Sequence, residues 1–151
     1  MSSSDVARMM ELSRALVAVA VRSLGAIDGE VSLPQLRTLV ALRRIGSCNA
    51  GELAEAVGLH ISTITRTCDR LVAAGLVIRE VRAANRREVE LSITPTGAAL
   101  VERVWAARSA ELSSALRGLS TAERASLRAA IPPLLVRLGE PAADGSEDAL
   151  G

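Results

Sequence analysis

A segment of short polar and cationic side chains between residues 60 and 70 has the composition of a surface that binds nucleic acid. Hydroxyl side chains come first and arginines follow at helical spacing. Short hydroxyl groups allow a helix to lie deep in the major groove of DNA, and a guanidinium can donate to a guanine edge or to phosphate. We therefore predict that this segment contacts DNA. The side chains predicted from this pattern to make the contacts are Ser62, Thr63, Arg66 and Arg70.

The apolar residues of the same segment predict an amphipathic helix over about 61–74. Ile61, Ile64, Cys68 and Leu71 recur at helical spacing and would share one face, opposite the polar side chains. An ordinary surface helix would carry long side chains of mixed charge on its outer face. Hydroxyl side chains near the start of this helix, on its outer face, instead favour a helix that enters the major groove of DNA.

The residues before this helix predict a shorter partner helix joined to it by a tight turn. Asn49 and Glu52 have the spacing of a capping box. Ala54 is small enough for two helices to cross closely, and Gly58 can adopt the positive φ that a tight turn needs. The pair predicts a helix-turn-helix, although any αα-hairpin would show the same local pattern.

The next segment favours a winged helix-turn-helix. Residues 76–81 and 88–93 predict two β-strands, and the polar residues 82–87 predict the turn that links them. Arg86 and Arg87 would lie at the tip of this hairpin, where they are predicted to contact the minor groove or flanking phosphates. A solvated hairpin tip would also carry arginine, so the hairpin's position directly after the candidate recognition helix is what favours DNA.

Charge is concentrated around these elements. The chain has a net charge of +1, but residues 36–87 contain nine arginines and four acidic residues. A basic middle between neutral or acidic ends is typical of a local nucleic-acid-binding face. At 49% hydrophobic residues, with one Trp and no Phe or Tyr, the chain predicts a globular core of aliphatic side chains.

The same residues argue against an enzyme, a bound metal or a cofactor. The chain has one histidine, and no nucleophile–base pair, metal-ligand cluster or glycine-rich phosphate loop is apparent. The most apolar run, residues 15–21, is shorter than the roughly 20 residues that cross a bilayer. The start of the sequence lacks the pattern of a signal peptide, so we expect a cytoplasmic protein that does not enter the membrane.

The two cysteines predict buried, reduced thiols. Cys48 and Cys68 form neither a CxxC motif nor a metal-ligand pattern. Regulation of DNA binding by oxidation of either thiol is the alternative hypothesis.

The remaining helices predict a dimerisation region built from both chain ends. A helix over about 5–24 becomes apolar nearly all round, which predicts that another subunit covers one side. Further helices are predicted over about 32–45, 95–117 and 120–138. Pro132 and Pro133 predict a break or kink of the last helix at 130–132.

We therefore predict a mainly α fold, with a winged helix-turn-helix, a two-stranded β-hairpin wing and a helical dimerisation region. One domain would span 1–139, with its winged core over about 32–94 and its dimerisation helices over about 5–24 and 95–139. The acidic tail, 140–151, is predicted to be disordered.

Three groups of motifs carry a resemblance to the MarR family of bacterial transcription regulators, over about residues 5–139. The first is Ser62-Thr63-Ile64-Thr65-Arg66 with Asp69-Arg70-Leu71 and Gly75-Leu76-Val77. The second is Asn85-Arg86-Arg87 with Leu91-Ser92-Ile93-Thr94 and Thr96-Gly97, and the third is Leu119-Ser120 with Glu123 and Leu127.

The resemblance implies a homodimer that binds double-stranded DNA at a pseudo-palindromic operator, acts as a repressor and is released by a small-molecule effector. It places Ser62, Thr63, Thr65 and Arg66 in the major groove, and Arg87, with Arg86 beside it, in the minor groove. Two residues depart from the family pattern: Asn85 stands where Asp is usual, and His60, a poor N-cap, stands where a small capping residue is usual. His60 is a candidate for a contact with phosphate or a base, and an exposed loop histidine without a role is the alternative.

A winged-helix adapter that binds protein instead of DNA is the alternative function. It would need an apolar outer face on helix 61–74 and no wing arginines, and the sequence shows the opposite.

Overall fold

The computed structural model describes residues 3–81 and 89–139. The helices are α1 (Ser3–Ser23), a short 3-10 helix (Leu24–Ile27), α2 (Leu33–Ile45), α3 (Ala50–Val57), α4 (Ile61–Ala73), α5 (Pro95–Arg117) and α6 (Thr121–Arg137). The strands are β1 (Ser47–Cys48), β2 (Val77–Val81) and β3 (Val89–Ile93). These elements confirm the predicted mainly α, winged helix-turn-helix fold.

The chain forms two compact units, one up to Ala110 and one from Glu111 onward. The core of the first unit is aliphatic, as the sequence predicts, and it takes residues from the 3-10 helix, α2, α3, α4, α5 and the sheet. Its largest fully buried side chains include Ile27, Leu39, Leu42, Leu53, Ile64, Leu71, Leu91 and Leu100. Within residues 3–81 and 89–139, no helix has both the length and the apolar character needed to cross a bilayer.

Capping residues define the helix starts that the sequence predicts. Ser32 with Gln35, Asn49 with Glu52 and Ser120 with Glu123 each form a complete capping box. In the last of these, the hydrogen bonds from Ser120 hold the pKa of Glu123 below its usual value.

The sheet has three strands where two were predicted. β3 lies in the middle, with β1 on one side and β2 on the other, both antiparallel to it. Ser47 pairs with Ser92 and Cys48 pairs with Leu91. A two-residue strand shows no alternation in the sequence, so only its pairing with β3 reveals β1.

Of the break or kink predicted in the last helix, the break is wrong, because α6 runs without interruption from Thr121 to Arg137. Pro132 and Pro133 cannot donate hydrogen bonds to the carbonyls of Arg128 and Ala129, four residues earlier. Both of these residues are exposed, so water can donate to the two carbonyls in place of the backbone.

The junction between the wing and α5 depends on the side chain of Thr94. Its hydroxyl donates to the carbonyl of Gly75 at 2.8 Å and accepts from the backbone N–H of Gly97 at 3.0 Å. The backbone N–H of Thr94 donates to the carbonyl of Leu76, also at 3.0 Å. These bonds fasten the end of β3 and the start of α5 to the residues that follow α4.

Candidate nucleic-acid interface

The helix-turn-helix forms as predicted. Gly58 ends α3 with φ 72°, and its N–H donates to the carbonyl of Ala54 at 2.9 Å. The guanidinium of Arg37 donates to the carbonyl of Val57 at 3.0 Å, which satisfies an acceptor at the end of α3. The turn therefore fixes where α4 begins.

The inner face of α4 differs in two positions from the prediction. Ile64, Cys68 and Leu71 are buried as predicted, but Thr67 is buried too and Ile61 is 49% exposed. Burial of Thr67 is tolerated because its hydroxyl donates to the carbonyl of Thr63 at 2.8 Å. Ile61 is the first residue of α4, about one turn before the buried residues of the inner face. The core therefore covers only part of its side chain.

His60 occupies the N-cap position of α4, where its ring accepts one long backbone hydrogen bond. Its Nδ1 atom accepts from the backbone N–H of Ser62 at 3.4 Å and lies 2.9 Å from Ser62 Oγ. In the neutral tautomer in which Nδ1 accepts, Nε2 carries the ring proton. That N–H belongs to an exposed side chain and can donate to a phosphate or base.

Two of the three hydroxyl side chains on the outer face, those of Ser62 and Thr65, already contact groups of this chain. Thr65 Oγ1 donates to the carbonyl of Ile61 at 2.9 Å, and the Ser62 hydroxyl contacts His60. Thr63 is exposed and its hydroxyl has no hydrogen bond within the described residues. The predicted hydroxyl donors therefore differ in what they can offer to DNA.

The side chains of Arg66 and Arg70 are exposed on the outer face of α4 and form no hydrogen bond or ion pair within residues 3–81 and 89–139. Other arginines of the basic segment do have partners. Arg43 pairs with Glu102, and Arg37 is bound to a backbone carbonyl. The cations of α4 are therefore left for an external anion. Arg86 and Arg87, predicted at the wing tip, lie outside the described residues.

An ion pair links α4 to the wing. Arg79 of β2 donates to Asp69 of α4 at 2.8 Å. Both side chains are exposed, so the pair adds little to stability. Its effect is electrostatic, because the guanidinium neutralises a carboxylate that would otherwise repel phosphate beside Arg66 and Arg70. The sequence alone did not indicate this pairing, since no local pattern joins a helix residue to a strand ten positions away.

Both cysteines are buried and reduced. Burial raises the pKa of Cys48, with further contributions from the charges of Glu52 and Glu90. Burial also raises the pKa of Cys68 to about 11, against the opposing effect of the Arg79 charge. Neither environment activates a thiolate, which supports the prediction of structural thiols over redox sensors.

Both thiols are expected to react with Ellman's reagent at pH 8 only when the protein unfolds. With a pKa of about 11, roughly one Cys68 side chain in a thousand is ionised at that pH. The reaction of the native protein should therefore be slow, and both thiols should react at once in guanidinium chloride. Rapid reaction of either thiol in the native state would revive the redox hypothesis, and Cys48→Ser and Cys68→Ser would show which one reacts.

Known proteins are similar to this chain in both sequence and fold. The sequence model of the MarR family matches residues 31–89. The HTH-type transcriptional repressor MdtR of Bacillus subtilis is 33% identical over 93 residues, which is 62% of this chain and 60% of that protein. The uncharacterised HTH-type transcriptional regulator Mb0904 of Mycobacterium bovis is also 33% identical, over 73% of this chain and 77% of that protein.

A solved structure matches over nearly the whole chain. The crystal structure of Rv1404 from Mycobacterium tuberculosis is 34% identical and superposes with a TM-score of 0.82. The match covers 95% of this chain and 99% of that one.

Proposed function

The chain belongs to the MarR family of DNA-binding transcription regulators, which are not enzymes, and on that premise we propose that it is a sequence-specific repressor acting as a homodimer. Its operator would be pseudo-palindromic double-stranded DNA. In this proposal both compact units act as one domain, and the protein works in the cytoplasm, where it can reach DNA.

The observation that carries the proposal is the contrast between the two faces of α4. One face packs into the core through Ile64, Cys68 and Leu71. The other presents Arg66 and Arg70 without partners within the described residues. A protein-binding adapter would need an apolar surface on the outer face, and this face is mostly hydroxyl and charged.

We propose that α4 enters the major groove and that the wing arginines contact its flanks. His60, Ser62, Thr63, Thr65, Arg66 and Arg70 would face the groove, and Arg86 and Arg87 would contact the minor groove or phosphates. Two copies of α4 in a dimer would enter successive major grooves about 10 bp apart. A small-molecule effector would release the DNA by favouring a different spacing of the two helices.

The exposed apolar side chains of α1 support a homodimer. They recur at spacings of three and four residues, which makes a stripe along the helix. A stripe of this length in water is unfavourable, and a second copy of the chain would cover it. Its residues are Val6, Met9, Met10, Leu12, Leu16, Val17 and Val21.

A charge placed in this stripe is expected to prevent dimerisation. Leu16→Glu would require a carboxylate to be buried at the interface, so the variant should elute as a monomer at micromolar concentration and lose specific DNA binding. Light scattering coupled to gel filtration measures the mass. Ile45→Glu, at an exposed apolar position at the end of α2, is the matched control and should stay dimeric. A dimeric Leu16→Glu variant would contradict this interface.

Fluorescence anisotropy with DNA from upstream of its own gene tests the proposed function. Saturable binding that survives an excess of nonspecific competitor DNA is the expected result. Binding that is lost to competitor would indicate only a basic surface or the wrong site, and selection from a randomised duplex pool would then decide between these two. No binding even at low salt would contradict the proposal and favour the adapter.

A further inference from the structure

Ile61 is an apolar residue exposed in the first turn of the helix proposed to enter DNA. The other large apolar side chains on the inner face of α4, Ile64 and Leu71, are fully buried, whereas Ile61 is 49% exposed. Single exposed apolar residues are common on proteins. Exposure alone therefore assigns no role to Ile61, and its chemical surroundings must be considered.

The ridge that contains Ile61 is identified by its contacts. Residues four apart stack along one side of a helix, so Ile61, Thr65 and Asp69 share a ridge. Asp69 is bound by Arg79 of β2, which places this ridge on the wing side of α4. The ridge is thus distinct from the inner stripe that packs into the core.

Thr65 has no hydroxyl proton to give to a base. Its Oγ1 donates to the carbonyl of Ile61 at 2.9 Å, and a threonine hydroxyl has only one proton. What Thr65 can still present is its methyl group and the acceptor capacity of the oxygen. Together with the Ile61 side chain, the start of this ridge has aliphatic character on an otherwise polar face.

The major groove offers one apolar group to such a surface. Thymine carries a methyl group at C5, and small apolar side chains contact it in direct recognition. The first residues of a recognition helix are the ones that contact base edges in helix-turn-helix proteins. We propose that Ile61, assisted by the methyl of Thr65, recognises a thymine methyl in each half-site and so contributes to sequence preference. This inference rests on the proposed DNA-binding function.

The test removes the methyl from the DNA and the side chain from the protein. A duplex selected by the wild-type protein from a randomised pool is remade with deoxyuridine in place of thymidine, one position at a time. Loss of a buried methyl contact should weaken wild-type binding roughly 3- to 5-fold at one or two positions in each half-site, by the free energy of a methyl-sized group. The remaining thymine positions should show no change.

The protein variants show whether the effect belongs to this ridge. For Ile61→Ala, the sensitive position should bind equally well with thymine or uracil, and Thr65→Ser, which keeps the hydroxyl but lacks the methyl, should reduce the difference. Ile45→Ala, a matched isoleucine at an exposed site on α2, should keep the wild-type pattern. Circular dichroism checks that each variant is folded.

Each failure has a separate meaning. Wild-type protein that selects no DNA overturns the proposed function and this inference with it. Specific binding to half-sites without thymine, or with no uracil-sensitive position, overturns the inference and leaves the proposed function intact. Undiminished uracil sensitivity in Ile61→Ala also overturns it, because another residue would then contact the methyl.

Discussion

Replacing Arg66 by alanine is expected to weaken operator binding roughly 5- to 150-fold, which corresponds to about 1–3 kcal/mol for a base-contacting arginine. Arg66 is exposed on the outer face of α4 and has no partner within the described residues. The substitution therefore removes no internal contact, and the fold should be unchanged by circular dichroism. The loss would come from hydrogen bonds to DNA alone.

Salt dependence distinguishes the two kinds of contact that Arg66 can make. If Arg66 contacts phosphate, its loss would reduce the magnitude of the negative slope of log affinity against log salt concentration by about 1. It would also weaken binding to all sequences alike. A base contact would leave the slope unchanged and relax the preference at one position of the half-site. Anisotropy titrations at several salt concentrations measure both quantities.

Arg128→Ala is the matched control for Arg66→Ala. Arg128 is exposed on α6, and its loss changes the net charge by the same amount. Its affinity for the operator should equal that of the wild type. If Arg66→Ala binds no worse than Arg128→Ala, the outer face of α4 is not the DNA-binding surface.

Gly97→Ala is expected to reduce the free energy of unfolding by about 3 kcal/mol, the upper end of the usual range for overpacking. A Cβ atom at this position would lie 2.3 Å from the carbonyl oxygen of Leu76 and 2.9 Å from the side chain of Ile93. The Leu76 carbonyl cannot withdraw freely, because it accepts the backbone hydrogen bond from Thr94. For a chain of this size the expected fall in Tm is roughly 6–12 °C.

Gly25→Ala controls for the general effect of replacing a glycine by alanine. A Cβ atom at Gly25 would meet nothing within 4 Å, so its Tm should remain close to that of the wild type. Thermal unfolding followed by circular dichroism compares the two variants. Equal Tm values would show that the junction between the wing and α5 can accommodate a Cβ atom at position 97, and would contradict the prediction.

Elements with local signals could be predicted from the residues alone. A capping box joins residues three positions apart, so Ser32, Asn49 and Ser120 were identified as helix starts before any tertiary contact was known. The same holds for Gly58, whose positive φ follows from the short turn it must make. The recognition helix and the strands of the wing followed from periodicity, to within one residue at each predicted strand start.

The sequence identified the predicted DNA-binding interface only by its residue types. The packing of the fold decided which of these side chains remain available to DNA. Arg37, Arg43 and Arg79 belong to the same basic segment as Arg66, yet each of the three is bound to an acceptor within the fold. Arg43 and its partner Glu102 lie far apart in sequence. No local pattern could predict which arginines remain available to DNA.

Three features could be seen only in the folded chain: the exposure of Ile61, the pairing of β1 with β3, and the continuity of α6 through Pro132 and Pro133. Periodicity assigns a residue to a face, but burial also requires a neighbouring element over that face, and none covers Ile61 fully. A strand of two residues exists only through its partner, and the residues whose carbonyls lose a donor at the two prolines, Arg128 and Ala129, are exposed. In each case the deciding interaction lies with groups that the local sequence does not contain.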